Sequence, residues 1–159
     1  MARKQIGPDT FTIELDDRIG VHISNEQTVT GASQGACLQY DGKYPDNDLR
    51  VKHRGEASET YNCHGMVFAS RRTAIPHIEK ILRREAHEID KRHVLPGDII
   101  VYFSETGDAE HSGVVVELPK GFGIGVRVLS KWGSWREVLH WQYDCPYEKA
   151  NTKFYRVDP

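Results

Sequence analysis

Leu95-Pro96-Gly97-Asp98-Ile99-Ile100-Val101-Tyr102-Phe103, followed by His111-Ser112-Gly113-Val114-Val115-Val116-Glu117-Leu118, decides the fold. Leu95 to Asp98 is turn chemistry, because proline fixes one backbone angle and glycine frees the next. The largely apolar, β-branched and aromatic run Ile99 to Phe103 then predicts a strand. His111 to Leu118 predicts a second strand, entered through the polar loop Gly107-Asp108-Ala109-Glu110. Pro119-Lys120-Gly121-Phe122-Gly123 predicts a turn, and Val126 to Leu129 a third strand. Short strands are expected over Glu137–Leu139 and Phe154–Val157.

Upstream the period changes to a helical one. A helix is expected from Asn62 or Cys63 to about Arg72, with Met66, Val67 and Phe68 early in it. A second is expected from about Pro76 to Asp90. Ile78, Leu82, Ala86 and Ile89 recur there at three- and four-residue steps, opposite Lys80, Arg83, Arg84 and Glu88. Pro76 suits the first helical turn. Helices followed by a strand meander predict an α+β fold, with N-terminal helices packed on a small antiparallel sheet. Further upstream, Phe11, Ile13 and Leu15, then Val21 and Ile23, alternate with polar residues and predict a hairpin or two edge strands. Asn25 to Glu59 is polar and rich in turn formers, which predicts a long loop wrapping the core.

The bulk numbers exclude several classes of function. The 159 residues suit one domain. Twenty-one basic and 23 acidic residues leave a net charge of -2 with no basic block, so no nucleic-acid partner is expected. No apolar run approaches the roughly 20 residues of a membrane span. Met1 to Pro8 carries positive charge with no apolar stretch behind it, so a cytoplasmic location is expected, with delivery by a non-classical route as the other possibility. Cys37, Cys63 and Cys145 are odd in number and widely spaced, which points away from a disulfide framework. There is no Cys-x-x-Cys pair. His77, His87 and His93 do not keep the His-Glu-x-x-His spacing either, so neither a metal nor a cofactor is expected.

Two residues carry the chemical signal. Cys63 falls at a helix start, where Asn62 can cap the helix and Gly65 allows close approach of another backbone. A free cysteine is commonly a small buried hydrophobe. At a helix N-terminus beside an imidazolium it is a nucleophile instead. His111 lies at the mouth of a strand, where a base can reach such a helix. Trp132, Trp135 and Trp141 either shape a substrate site or fill the core.

Cys63-His64-Gly65, Pro96-Gly97-Asp98-Ile99 and His111-Ser112-Gly113-Val114 follow one another in an order that resembles the NlpC and CHAP families of papain-like cysteine peptidases and amidases. Those families read roughly Cys-Ser-Gly, Pro-Gly-Asp-Leu and His-Val-Gly-Ile. The likeness runs from Tyr61 to Leu129, a little under half of the chain. It implies a papain-like core in which the sheet is a meander or half-barrel, with Cys63 as nucleophile and His111 as base. His64 departs from the small residue usual after the cysteine. The family's third catalytic position, a polar residue on the strand after the histidine, falls by order on Ser130, with His140 as the second choice.

The expectation is therefore a single domain over 1–159. Residues 1–60 form N-terminal strands and a loop region, and 61–159 a catalytic core. Its function would be a cysteine hydrolase that cleaves an amide bond, with a peptide or amide as partner, and the resemblance points to peptides of the cell-wall type. If an amine resolves the acyl-enzyme, the same residues make a transferase. The rival reading is an inactive binding module on the same fold. A third is a thiol redox protein, for which Cys37 or Cys145 would have to lie near Cys63.

Overall fold

Ile99–Phe103 forms a strand in which all five residues are buried. Alternation sends Ile99, Val101 and Phe103 into one core and Ile100 and Tyr102 into another. The run is apolar without a break because the sheet is covered on both faces. The computed structural model describes residues 4–28, 32–119 and 125–159; the expected turn at 120–123 lies outside them.

In chain order, β1 (Lys4–Gln5), β2 (Thr10–Thr12) and β3 (Gln27–Thr28) come first. Then follow α1 (Ala32–Lys43), β4 (Val51–His53), α2 (Cys63–Phe68), α3 (Glu79–Glu85) and β5 (Ala86–Ile89). The last five strands are β6 (Ile99–Phe103), β7 (Ala109–Glu117), β8 (Arg127–Lys131), β9 (Glu137–Trp141) and β10 (Thr152–Val157). β1, β2 and β3 make a small sheet, and Asp16 bridges to His22 beyond it. The other seven strands form one antiparallel sheet in the order β4-β9-β8-β7-β6-β10-β5. The fold is thus mixed α+β, with helices on an antiparallel sheet. Among the described residues no helix is long and apolar enough to cross a membrane.

Residues at and around α2 and α3 cover one face, where Ala69, Ile75, Ile78 and Leu82 pack with Val101 and Phe103. On the other face Cys37 and Tyr40 of α1 pack against Trp132, Trp135 and Val138. Trp132 and Trp135 are fully buried, so these two indoles are core. Trp141 is half-buried beneath the Arg127 guanidinium.

Three expectations are corrected. Residues 25–59 are not an unbroken loop, since they hold β3, α1 and β4. α1 leaves no apolar stripe in the sequence, because few of its residues from Gly35 onward turn inward: Leu38 is 72% exposed, and Gly35 and Gly42 interrupt the pattern. The first predicted helix stops at Phe68 rather than Arg72, because Ser70 and Arg71 take positive φ. There the Gly65 carbonyl accepts from both the Ala69 and Arg71 amides, which closes the helix end. The second predicted helix keeps only Glu79–Glu85. Ala86 and Ile89, read as its stripe, belong to β5 and pair with Val157 and Phe154. Pairing across the sheet outweighs local helix preference here.

The Pro-Gly-Asp turn ties distant parts of the chain. Gly97 sits at φ +99, a conformation that favours glycine. The Asp98 carboxylate accepts from the Leu95 amide at 2.7 Å. Arg156 of β10 grips it with two hydrogen bonds of 2.8 and 2.7 Å. Those bonds hold its carboxyl below the usual range. Asp98→Asn is expected to cost about 1–3 kcal/mol at neutral pH. A carboxylate lowered in the folded state stabilises fully above its unfolded pKa of about 3.9, and that contribution fades as pH falls through the folded value. Urea melts of both proteins, at neutral pH and well below the carboxylate range, check this. A gap that persists undiminished in acid would refute it.

Candidate functional site

Asn62 prepares the start of α2. Its Oδ1 accepts from the Gly65 amide at 2.8 Å and from the Ile75 amide at 3.1 Å, while its Nδ2 donates to the Ile75 carbonyl at 2.8 Å. One side chain thus caps the helix and fastens residues 73–75 against it. Contact there is so close that a Cβ on Gly65 would lie 1.8 Å from the Thr73 carbonyl oxygen.

Cys63 is the first residue of α2 and 5% exposed. Burial pushes its thiol up to about 11, opposed by hydrogen bonds from the backbone amides of Ser112, His64 and Cys63 and by the charge of Lys131. The Ser112 contact follows from sheet geometry. β8 pairs with β7 only from Gly113 onward, so β7 projects past it and meets α2.

His64 fastens the same junction. Its Nδ1 accepts from the Ser112 hydroxyl at 2.8 Å, and its Nε2–H donates to the Ala109 carbonyl at 3.1 Å. Burial pulls its pKa down to about 4, so it is neutral. The residue that departs from the family pattern is a staple between α2 and β7.

His111 is wholly enclosed. Alternation along β7 sends Ser112 toward His64 and the His111 ring to the opposite side, where it meets Tyr102 at 5.4 Å between ring centroids. Tyr147 stacks on it at 4.1 Å with planes 5° apart. Neither ring nitrogen has a hydrogen-bond partner among the described residues. Burial, together with His140 and His64 nearby, holds its pKa well below the usual imidazole value. Cys63 of α2 thus meets the amide of Ser112, the residue that follows His111 on β7, and neither ring nitrogen of His111 is hydrogen-bonded to it.

Ser130 and His140 make a pair of their own. The Trp132 indole N–H donates to Ser130 Oγ at 3.0 Å, and the Ser130 hydroxyl donates to His140 Nε2 at 2.8 Å. His140 Nδ1–H donates to the Trp141 carbonyl at 2.8 Å. Burial lowers His140 to about 4. Ser130 shares the His111 face of the sheet, since it pairs with Gly113, but its hydroxyl is committed to His140.

Lys131, whose charge reaches Cys63, and Glu137 beside it carry no signal in the sequence. Lys131 is fully buried and donates to the carbonyls of Gly133 at 3.0 Å and Trp135 at 2.5 Å, with its ammonium 5.1 Å from the Tyr61 ring. Glu137 accepts from the Tyr61 hydroxyl and from the Arg71 guanidinium. Only the strand pairing of Lys131 with Glu137 brings these residues together, and no local motif announces it.

A groove of about 420 Å³ runs past this junction, lined by Asn62, His64, Ala109, Glu110 and Tyr147 among others. Tyr147 thus stands between the groove and His111. A larger hollow, about 900 Å³, lies between Ile89, Val126 and Phe154 and is lined by none of the three cysteines nor by His111. Compared with known proteins, the chain matches no family model, no curated protein and no solved structure.

Proposed function

We propose that this chain is a papain-like cysteine hydrolase, a peptidase or amidase of the NlpC and CHAP kind. The observation that carries the reading is the Cys63 thiol held by backbone amides, among them that of Ser112, the residue after His111 on β7; Asn62 and His64 on either side of Cys63 line a groove, and both His111 nitrogens lack a partner among the described residues. Amides in that position stabilise negative charge as it develops. The order of the three motifs supports the same assignment.

In this reading Cys63 and His111 start neutral. As sulfur attacks the amide carbonyl, the thiol proton passes to a His111 nitrogen. His111 then gives that proton to the departing amine, leaving an acyl thioester on Cys63. Water attacks the thioester with His111 again taking a proton, and acid and free thiol result. Substrate entering the groove displaces Tyr147 and opens the path to His111. Ser130 would act only through His140, as a positioning residue.

Iodoacetamide labelling, followed by peptide mass mapping, tests this. Near neutral pH, Cys63 is expected to react at least about tenfold faster in the wild type than in His111→Ala. His111→Gln, which keeps a planar group against Tyr147, guards against a folding defect. Equal, slow labelling in all three proteins would leave the second reading, an inactive binding module on the same fold. The enclosed thiol, pushed up to about 11, is the observation that favours it.

A further inference from the structure

We propose that His111, His140 and Cys145 bind a soft cation of the Zn(II) class. One ring nitrogen from each histidine and the Cys145 sulfur all lie within 4.8 Å of one another, and all three residues are buried. Independently, both nitrogens of the wholly enclosed His111 ring lack any partner among the described residues. Buried polar groups without partners are uncommon in folded proteins, and a bound ion is one standard reason for them.

The surroundings suit a ligand set. His140 Nδ1–H donates to the Trp141 carbonyl, which fixes the ring and leaves Nε2 as the lone-pair atom. Metal-binding histidines are oriented by such outer bonds. The Ser130 hydroxyl now directed at Nε2 can rotate away while Ser130 Oγ keeps its bond from Trp132. The Cys145 sulfur is met by the Tyr147 amide and by the Tyr102 hydroxyl. No carboxylate belongs to the cluster, so two imidazoles and a thiolate select zinc-like ions over calcium or magnesium. Metal bonds of about 2.0–2.3 Å require the donors to close by roughly an ångström.

Binding forms two nitrogen–metal bonds and one sulfur–metal bond, and it releases the Cys145 thiol proton. The site needs no catalytic role for Cys63, so it stands apart from the hydrolase reading. It shares His111 with that reading, however. An occupied site would therefore withhold the proposed base.

The test is a Co(II) titration of the full chain, read by absorption. Binding at one equivalent, with a thiolate charge-transfer band that Zn(II) abolishes, is the expected result. His140→Ala should weaken binding by more than about tenfold. In Cys37→Ala/Cys63→Ala the only remaining thiol is Cys145, and the band should persist. Absence of the band from the wild type, or its loss in that double variant while the protein stays folded, would overturn the proposal. Neither outcome depends on catalytic activity.

Discussion

Gly65→Ala is expected to lower stability by about 3 kcal/mol or more, at the upper end of the usual cost of overpacking. The added methyl would sit 1.8 Å from the Thr73 carbonyl oxygen and 2.9 Å from its carbon. These are backbone atoms, and Asn62 pins Ile75, two residues further on, through both its amide and its carbonyl. No side-chain rotation can relieve the clash. Either residues 73–75 move off α2 or the helix start lifts from the sheet. Each of those movements also disturbs the cradle of Cys63. Thermal melting should show a drop of about 6–12 °C for a domain of this size. A shift below a degree would show that the 73–75 segment yields freely.

Lys131→Met is expected to flatten the alkaline limb of the stability curve. Burial lowers the Lys131 pKa from 10.5 to about 8, with nearby thiols and carboxylates only partly opposing it. Between those values the unfolded chain holds a proton that the folded protein has given up. Stability therefore rises with pH across that window, and below about 8 the full penalty of the buried charge is present. The difference corresponds to about 3 kcal/mol as an upper bound. Methionine has similar length and no charge to bury, although it leaves the Gly133 and Trp135 carbonyls without their donor. Urea melts from about pH 7 to about pH 10.5 would show wild-type stability climbing against the variant. Parallel curves would mean that Lys131 titrates normally.

What the chain revealed by itself depended on how local each signal was. β6 and β7 were legible because both sheet faces are covered, which leaves a solid apolar run. Asn62 was legible as a cap because its partner Gly65 lies three residues on. β5 was not, because Ala86 and Ile89 fit a helical step as well as a strand. Their pairing with β10 spans more than sixty residues. The same holds for the site. Cys63 and His111 stand out in their own segments, whereas the stacking of Tyr147 on His111 and the partners of Glu137 come from remote stretches. The Ser130–His140 bond joins adjacent strands, and register rather than residue type creates it.

The position of β10 constrains how the molecule is born. It lies between β6 and β5, although both of those are translated well before it. Until Thr152–Val157 leaves the ribosome, β6 presents an open hydrogen-bonding edge, and β5 has no partner to hold it in the sheet. Asp98 likewise waits for Arg156. Until β10 is made, a nascent chain of this protein therefore carries an open edge of the kind that can pair with other chains.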